Sequence, residues 1–387
     1  MATAVSVAPI APVSASAAAR PPGYYVRQRL WQNRPAVVGL AFIALCTLVA
    51  LLGYWVLPDN SPNANHGFVQ LQKQPPGLRV QLLRRSSPDS ARPATGIFSR
   101  WLNGQESQFE EIPIVVGSYG KMNANSVGFR PWTAPETSPA AYQKAALPPS
   151  FTDSPVHSFT YWLGTDKAGR DELSRLLLGT RISLGIGLVA VLISLALGMM
   201  VGAIAGYFGG WVDSVLLGVM TVVWSIPGIM LVIAISLALD SKGVWVSFVA
   251  VGLTMWVDVA RVVRGQMLSL RSATFVEAGR VLGLPTSHLI ARHLLPNMRG
   301  PLIVLATSNF AAAILLEAGL SFLGLGVQPP APSWGLMVKE GYDLLGTEAG
   351  LWLTLLPGAA ISLLVLSFNL LGNGLRDAYD PKTPVTG

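Results

Sequence analysis

The sequence predicts an all-α polytopic membrane protein with six transmembrane helices and a small irregular or β-containing extracytoplasmic insert. Three observations carry that prediction. Only 12% of the 387 residues are charged while 51% are hydrophobic, against about 25% charged in an ordinary soluble domain, so ionic surface is too sparse to cover a water-soluble globule. Stretches free of Asp, Glu, Lys and Arg recur at the roughly 20-residue length that crosses about 30 Å of hydrocarbon. One long segment, between the first and second of these, turns instead to Pro, Asn, Gln and Ser. Mean hydropathy is +0.49, in agreement. The single cysteine, Cys46, lies inside an apolar run and reads as a packing residue, which excludes a disulfide scaffold. The apolar content excludes a disordered chain.

The first span is Ala36 to Leu57. Its run exceeds the roughly 7–15 residues of a signal-peptide core, so it reads as a retained helix. The second lies within Ile182 to Val212, where Gly198, Gly202 and Gly206 at four-residue spacing are either a close helix-packing seam or incidental membrane glycines. The third is Ser214 to Leu239, with a kink expected at Pro227. Val244 to Val263 is the fourth, Gly300 to Leu325 the fifth, and Leu351 to Gly372 the sixth, kinked at Pro357.

Placement of the +7 net charge orients these spans. Basic residues stay on the cytoplasmic side of short connections. Twelve lie in the N-terminal segment (Arg20, Arg27, Arg29, Arg34), in the connection between spans four and five, and in the tail with Arg376 and Lys382, whereas the opposite short connections hold Lys242 and Lys339. Both tails, residues 1–35 and 373–387, are therefore expected in the cytoplasm. The insert, 58–163, is long enough to be translocated regardless of charge. It carries chain-breaking Pro75-Pro76 and Pro148-Pro149, scattered aromatics, and two strand-like stretches, Leu78 to Leu83 and Ile112 to Val116. It reads either as a small loosely packed subdomain or as a partly disordered segment. Gly120-Lys121 lacks the remaining residues of a phosphate loop.

Residues 164–181 follow, with Asp171 and Glu172 suited to a first helical turn, Asp171 and Arg175 at i, i+4, and Leu173, Leu176 and Leu177 on one side. That pattern predicts a short amphipathic helix on the outer surface, or a solvated one. Two carboxylates lie inside spans. Glu317 is expected near the outer surface as a packing or snorkelling group, and Asp258 as the partner of Arg261. Pro329 to Gly350, with Trp334, Lys339 and Glu340, is expected to tuck into the outer mouth and to meet an external partner.

The connection 264–299 is too polar for lipid. Thr274-Phe-Val-Glu277 has the form of a capping box, Gly283 and Pro285 supply a stop, and Ser287 opens a second short helix to about Leu294, closed by Pro296. Two short helices with apolar Phe275, Val276, Leu289 and Leu294 form either a docking element or a self-packed loop.

Glu277-Ala278-Gly279, then Gly283, then His293-Leu294-Leu295-Pro296-Asn297 resembles the EAA loop of ABC importer permeases, departing from its usual pattern at Gly279 for Ala and His293 for Ile. Gly279 is expected to loosen the helix, since Gly has lower helix propensity by about 1 kcal/mol. Gly164-Thr-Asp-x-x-Gly-Arg-Asp-x-Leu-Ser-Arg175, Gly206-Tyr-Phe-Gly-Gly-Trp-Val-Asp213, Leu320-Ser-Phe-Leu-Gly-Leu-Gly326, Pro332-Ser-Trp-Gly335 and Asn369-Leu-Leu-Gly-x-Gly-Leu-Arg-Asp377 are similar to the C-type permease subunit of the dipeptide and oligopeptide branch. The resemblance covers Arg27 to Leu57 and Gly164 to Pro381, and leaves the insert without a counterpart.

It implies a type I ABC importer permease fold in the bacterial inner membrane, with a core over 182–372. The implied partners are a second permease subunit, two ATPase subunits that bind ATP and magnesium, an extracytoplasmic solute-binding protein, and a peptide substrate, with no nucleic acid. Glu277, Ala278, Gly279, Gly283, Leu295 and Pro296 are the implied ATPase-coupling residues. The chain itself is expected to hold no cofactor and to catalyse nothing, since its four histidines and one cysteine lack metal-ligand spacing. A membrane scaffold whose insert recruits an external partner, and an importer of nickel complexes or glutathione, remain the alternatives.

Overall fold

The computed structural model describes residues 22–86, 96–106, 109–123, 126–133, 145–146, 156–240 and 243–380. Arg20, Pro148-Pro149, Lys242 and Lys382, which the sequence reading used, lie outside them.

Helix α1, Pro22–Gln32, leads into α2, Arg34–Leu52. The Asn33 side chain accepts a hydrogen bond from the Ala36 amide at 3.2 Å, and Pro35 occupies the first turn where its missing donor costs nothing. The chain then enters the insert. Strand β1, Leu78–Ser86, is followed by α3, Ile97–Asn103, then by β2, Phe109–Ile114, β3, Gly120–Asn123, β4, Ser126–Gly128, β5, Ala145–Ala146, and β6, Val156–Tyr161. Strands β2, β1 and β6 pair antiparallel in that order, and β3, β4 and β5 form a second small sheet. Alternation along β1 buries Leu82 with Phe68, Leu71 and Tyr161 on one face, and Leu83 with Ile114 and Phe129 on the other. Of the two stretches expected as strands, Leu78 to Leu83 falls in β1 and Ile112 to Val116 overlaps β2 only as far as Ile114, and the first sheet packs on both faces.

Helix α4, Glu172–Phe208, is 37 residues long, about 55 Å at 1.5 Å per residue. The Asp171 carboxylate caps it by accepting from the Ser174 amide at 2.9 Å. This corrects the separate surface helix expected over 164–181. Residues 164–171 are loop, and no proline separates Glu172 from the span, so its first turns are the span itself. Gly209, at φ +67, ends the helix.

Helices α5, Gly210–Trp224, and α6, Gly228–Ala238, meet at an angle of 92°. The kink expected in the third span is a sharp break, because Pro227 has no amide hydrogen and disfavours helix at Ile226. Helices α7, Val244–Thr254, and α8, Trp256–Leu270, join at Met255. Next come α9, Thr274–Val281, α10, Thr286–His288, a π-helical turn Leu289–Leu294, and α11, Leu295–Asn297. Then follow α12, Arg299–Phe322, α13, Trp334–Tyr342, and α14, Glu348–Tyr379, which runs through Pro357. Among the described residues five helices are long and apolar enough to cross a membrane, or six if the bent pair is one span.

The α4–α8 seam is built on the spaced glycines. A Cβ at Gly206 would lie 2.6 Å from Met267 Cβ, and one at Gly198 would lie 2.6 Å from Val259 Cγ1, so only glycine admits this approach. A second core joins α2, α12, α13 and α14 through Cys46, Ile314, Trp334, Met337 and Leu364, with Phe310 stacked on Phe368 at 4.1 Å.

Candidate functional site

At the end of the bundle away from the insert, α8 runs into α9 through a tight turn. The Ala273 carbonyl accepts from the amides of Val276 and Glu277 at 2.9 and 3.2 Å. Ala273, not Thr274, is therefore the capping residue, and no side-chain cap forms. The capping box is corrected on that ground: Thr274 is already helical, so its hydroxyl is not placed to cap the first turn. The stop is as expected. Gly283 sits at φ +74, its amide donates to Arg280, and the Leu284 amide reaches the Gly279 carbonyl at 3.0 Å, which closes the helix with two of its end carbonyls satisfied.

The second helical stretch begins at Thr286, not after Ser287, and is not closed by Pro296. A π-helical turn, Leu289–Leu294, leads into α11, where Pro296 sits in the first turn and its missing donor costs nothing. Asn297 Nδ2 donates to the His293 carbonyl at 2.7 Å.

The faces of this element divide sharply. Val276 and Leu294 are fully buried with Val259, Val263, Met267 and Met298, and Leu289 is fully buried beside Gly279. They anchor the element to its own bundle and are not available to an external groove, in keeping with the self-packed alternative and not with docking through these side chains. The outward side carries Phe275, Glu277, Ala278 and Arg280, together with Val281 and Leu282, which are 87% and 79% exposed. Gly283 is exposed, and Leu295 and Pro296 are half-buried. Gly279 is buried, and a Cβ there would meet Leu289 Cδ2 at 2.6 Å. The glycine lets Leu289 close against α9, so it tightens the packing where a loosened helix was expected.

Charge fixes the element to its neighbours. Arg264 grips Asp213 with two bonds, at 2.5 and 2.7 Å. Arg271 donates to the Gly206 carbonyl at 3.3 Å, and the Arg280 guanidinium lies 5.2 Å from the centre of the Tyr207 ring. The ends of α4, α5, α8 and α9 therefore form one connected block.

At the insert end, Asp166 organises the loop before α4. Its carboxylate accepts from the amides of Ala168 and Arg170 and from Arg170 Nε at 2.6 Å. Arg175 is fully buried and does not pair with Asp171 as its spacing suggested. It lies 3.4 Å from Asp166 and 3.6 Å from Glu340. Glu340 also meets Arg170 at 3.4 Å and Lys167 at 3.3 Å. Burial pushes the Asp171 carboxyl up, against the bonds from Ser174 that pull it down.

The segment around α13 does fold back into the bundle. Trp334, 2% exposed, donates to the Leu176 carbonyl at 2.9 Å. Trp334 and Glu340 are thereby committed to internal partners, which corrects their reading as contacts for an external protein, while Lys339 is half-buried. Glu317 is buried and accepts from Ser321 Oγ at 2.7 Å, a packing role without snorkelling. Asp258 accepts from Trp224 Nε1 at 3.2 Å and Arg261 lies over the same ring at 4.4 Å. The two meet through the indole instead of forming the expected direct pair.

A cavity of about 440 Å³ lies where the insert sheet meets residues 58–68. On its wall Glu111 faces Arg84 at 3.0 Å and both His66 and His157 at 3.7 Å. Burial holds the His157 imidazole below its ordinary value although Glu111 pulls it up.

Comparison with known proteins bears on this arrangement. The family described as binding-protein-dependent transport system inner membrane component matches residues 198–384, and the N-terminal transmembrane domain of oligopeptide transport permease C matches 22–76. The chain is 41% identical over 225 residues to the dipeptide transport system permease protein DppC of Bacillus subtilis, covering 58% of this chain and 70% of that one. The chain belongs to the peptide-transport permeases of binding-protein-dependent ABC importers. Similarity to OppC of Bacillus subtilis is 39% over 222 residues, 57% and 72% of the two chains. Similarity to the glutathione transport system permease protein GsiD of Pectobacterium atrosepticum is 41% over 225 residues, 58% and 74%. Among solved structures, an inward-facing form of the MetNI methionine ABC transporter matches at TM-score 0.45 and 18% identity, over 54% of this chain and 98% of that one. The family match itself, over 198–384, identifies the helical bundle as that of a binding-protein-dependent transport system inner membrane component. Neither family model extends over 77–197, which holds the insert sheets and the first part of α4.

Proposed function

We propose that this permease forms half of the translocation pathway of an ATP-driven peptide importer and couples to a cytoplasmic ATPase through α9. The observation that carries the coupling role is the two-sidedness of that helix. Its inner face is locked to α4 and α8 by Val276, and Leu289 and Leu294 behind it are fully buried. Its outer face offers Phe275, Glu277, Val281 and Leu282. A helix bound rigidly on one side and exposed on the other transmits displacement, where a flexible loop would absorb it.

In this reading a second permease subunit completes the pathway, two ATPase subunits bind ATP and magnesium, and a solute-binding protein delivers cargo on the insert side. The bundle end bearing α9 faces the cytoplasm with both tails. ATP-driven closure of the ATPases moves the α4–α5–α8–α9 block as a unit and exchanges inward-open for outward-open states. By linkage, docking of the loaded binding protein favours the ATP-closed state. Glu277, Ala278, Gly279 and Gly283 shape the coupling helix, and Leu295 and Pro296 shape the stretch behind it. The chain itself carries out no catalysis.

Glutathione is the second cargo reading, favoured by an identity to GsiD equal to that with DppC. Purification in mild detergent from the native membrane tests the assignment. Co-recovery of a second permease and two ATPases, lost on Glu277→Lys, is expected. Recovery of the chain alone, or with external proteins only, would return the scaffold reading to the fore.

A further inference from the structure

We propose that α3 of the insert is an interfacial helix seated in the lipid surface beside the end of α2, and that it holds the insert against the bilayer. The sequence of α3 is Ile-Phe-Ser-Arg-Trp-Leu-Asn. At about 100° per residue, Ile97, Phe98, Trp101 and Leu102 share one face, while Ser99, Arg100 and Asn103 fall on the other. That apolar face is bare: Ile97 is 76% exposed and Phe98 72%. A packed soluble subdomain rarely leaves such side chains in water together.

The level at which α3 sits decides what covers it. Trp101 Nε1 donates to the Leu51 carbonyl at 2.5 Å, in the last turn of the apolar helix α2. Below that carbonyl Leu45 and Leu48 are exposed, and beyond it Trp55 is too. In a membrane protein this outward stripe of α2 meets lipid, so α3 continues a lipid-facing surface at the depth where the chain leaves the hydrocarbon. Indole rings concentrate at that depth.

The polar ends of α3 are also provided for. Arg181, from α4, donates to the carbonyls of Trp101 and Leu102 at 3.1 and 3.3 Å and lies 4.8 Å from the Trp101 ring centre. Two carbonyls at the helix end are thereby satisfied without water, as a helix at the hydrocarbon boundary requires. The partner this surface fits is the interfacial zone of the bilayer, with apolar side chains in the acyl boundary and Arg100 among headgroups.

The test is site-directed spin labelling of the full chain in lipid vesicles, where Cys46 is buried and stays unlabelled. Nitroxides at Ile97→Cys and Phe98→Cys are compared with one at Gln72→Cys, an exposed position elsewhere in the insert. The ratio of oxygen to nickel-chelate collisions is expected to be several-fold higher at the two α3 positions than at 72. A ratio equal to that at 72 would mean water covers α3, and low collision with both reagents would mean protein covers it. Either result overturns the proposal. A paired Ile97→Ser, Phe98→Ser chain should assemble normally while its insert is cleaved several-fold faster by protease added outside.

Discussion

Two substitutions six residues apart separate docking from anchoring in the coupling element. Leu282 is 79% exposed and Val276 fully buried. Truncating Leu282→Ala removes little from the fold, since that side chain is already in water. At a docked interface, each buried methylene contributes about 0.8 kcal/mol, so partial covering of Leu282 amounts to about 1–2 kcal/mol. That corresponds to a roughly 5- to 30-fold weaker ATPase association. Val276→Ala removes two methyl groups from the cluster with Val263, Met267 and Leu294, about 1.6 kcal/mol of transfer free energy before the cavity adds its share. It should lower the thermal midpoint and leave intrinsic ATPase affinity nearly unchanged in the surviving folded protein. Titrating purified ATPase onto permease in nanodiscs reads the first quantity, and differential scanning fluorimetry in detergent the second. Reversed outcomes, with Leu282→Ala unfolding the protein at full affinity, would refute the assignment of faces.

Three further outcomes follow from the packing and the charges. Gly206→Leu drives a side chain into Met267 and the Arg264 carbonyl, and should cost about 1–3 kcal/mol, visible as a lower thermal midpoint. Glu340→Gln leaves Arg170 and Arg175 short of a counter-charge in a buried cluster and should destabilise by about 3 kcal/mol, measured the same way. Because His157 is held below its ordinary value of 6.5 by burial, its neutral form supports the folded sheet. That support is full above pH 6.5 and is lost as pH falls through the depressed value. Amide exchange in β6 should therefore quicken below pH 6.5, and His157→Gln should flatten the trend despite the neighbouring Glu111, Arg84 and His66.

The sequence made the membrane spans and the coupling loop legible because both rest on local signals: uninterrupted apolar runs, Gly283 ahead of Pro285, and glycines at four-residue spacing. Where it misled, the deciding partner was distant in sequence. Arg175 looked like a match for Asp171 four residues before it, but the carboxylates that reach it belong to Asp166 and to Glu340, 165 residues away. Asp258 and Arg261 are divided by the indole of Trp224, which no local spacing announces. The inner face of the coupling loop read as docking surface because apolar side chains in a polar loop look alike until the α4–α8 seam beneath them is known. Val281 and Leu282, the exposed residues beside the Gly283 stop, carry no local sign of which way they face. In the insert, α3 has seven residues and β6 six, too short for periodicity to register.

The central claim is that the outer face of α9 meets an ATPase. A photocrosslinking residue in place of Val281, 87% exposed, tests it most directly when irradiated in native membranes with and without ATP. A crosslinked band containing the ATPase subunit, with a yield that changes on ATP addition, is the predicted result. Crosslinking to lipid alone, or to the permease itself in both states, would contradict the account.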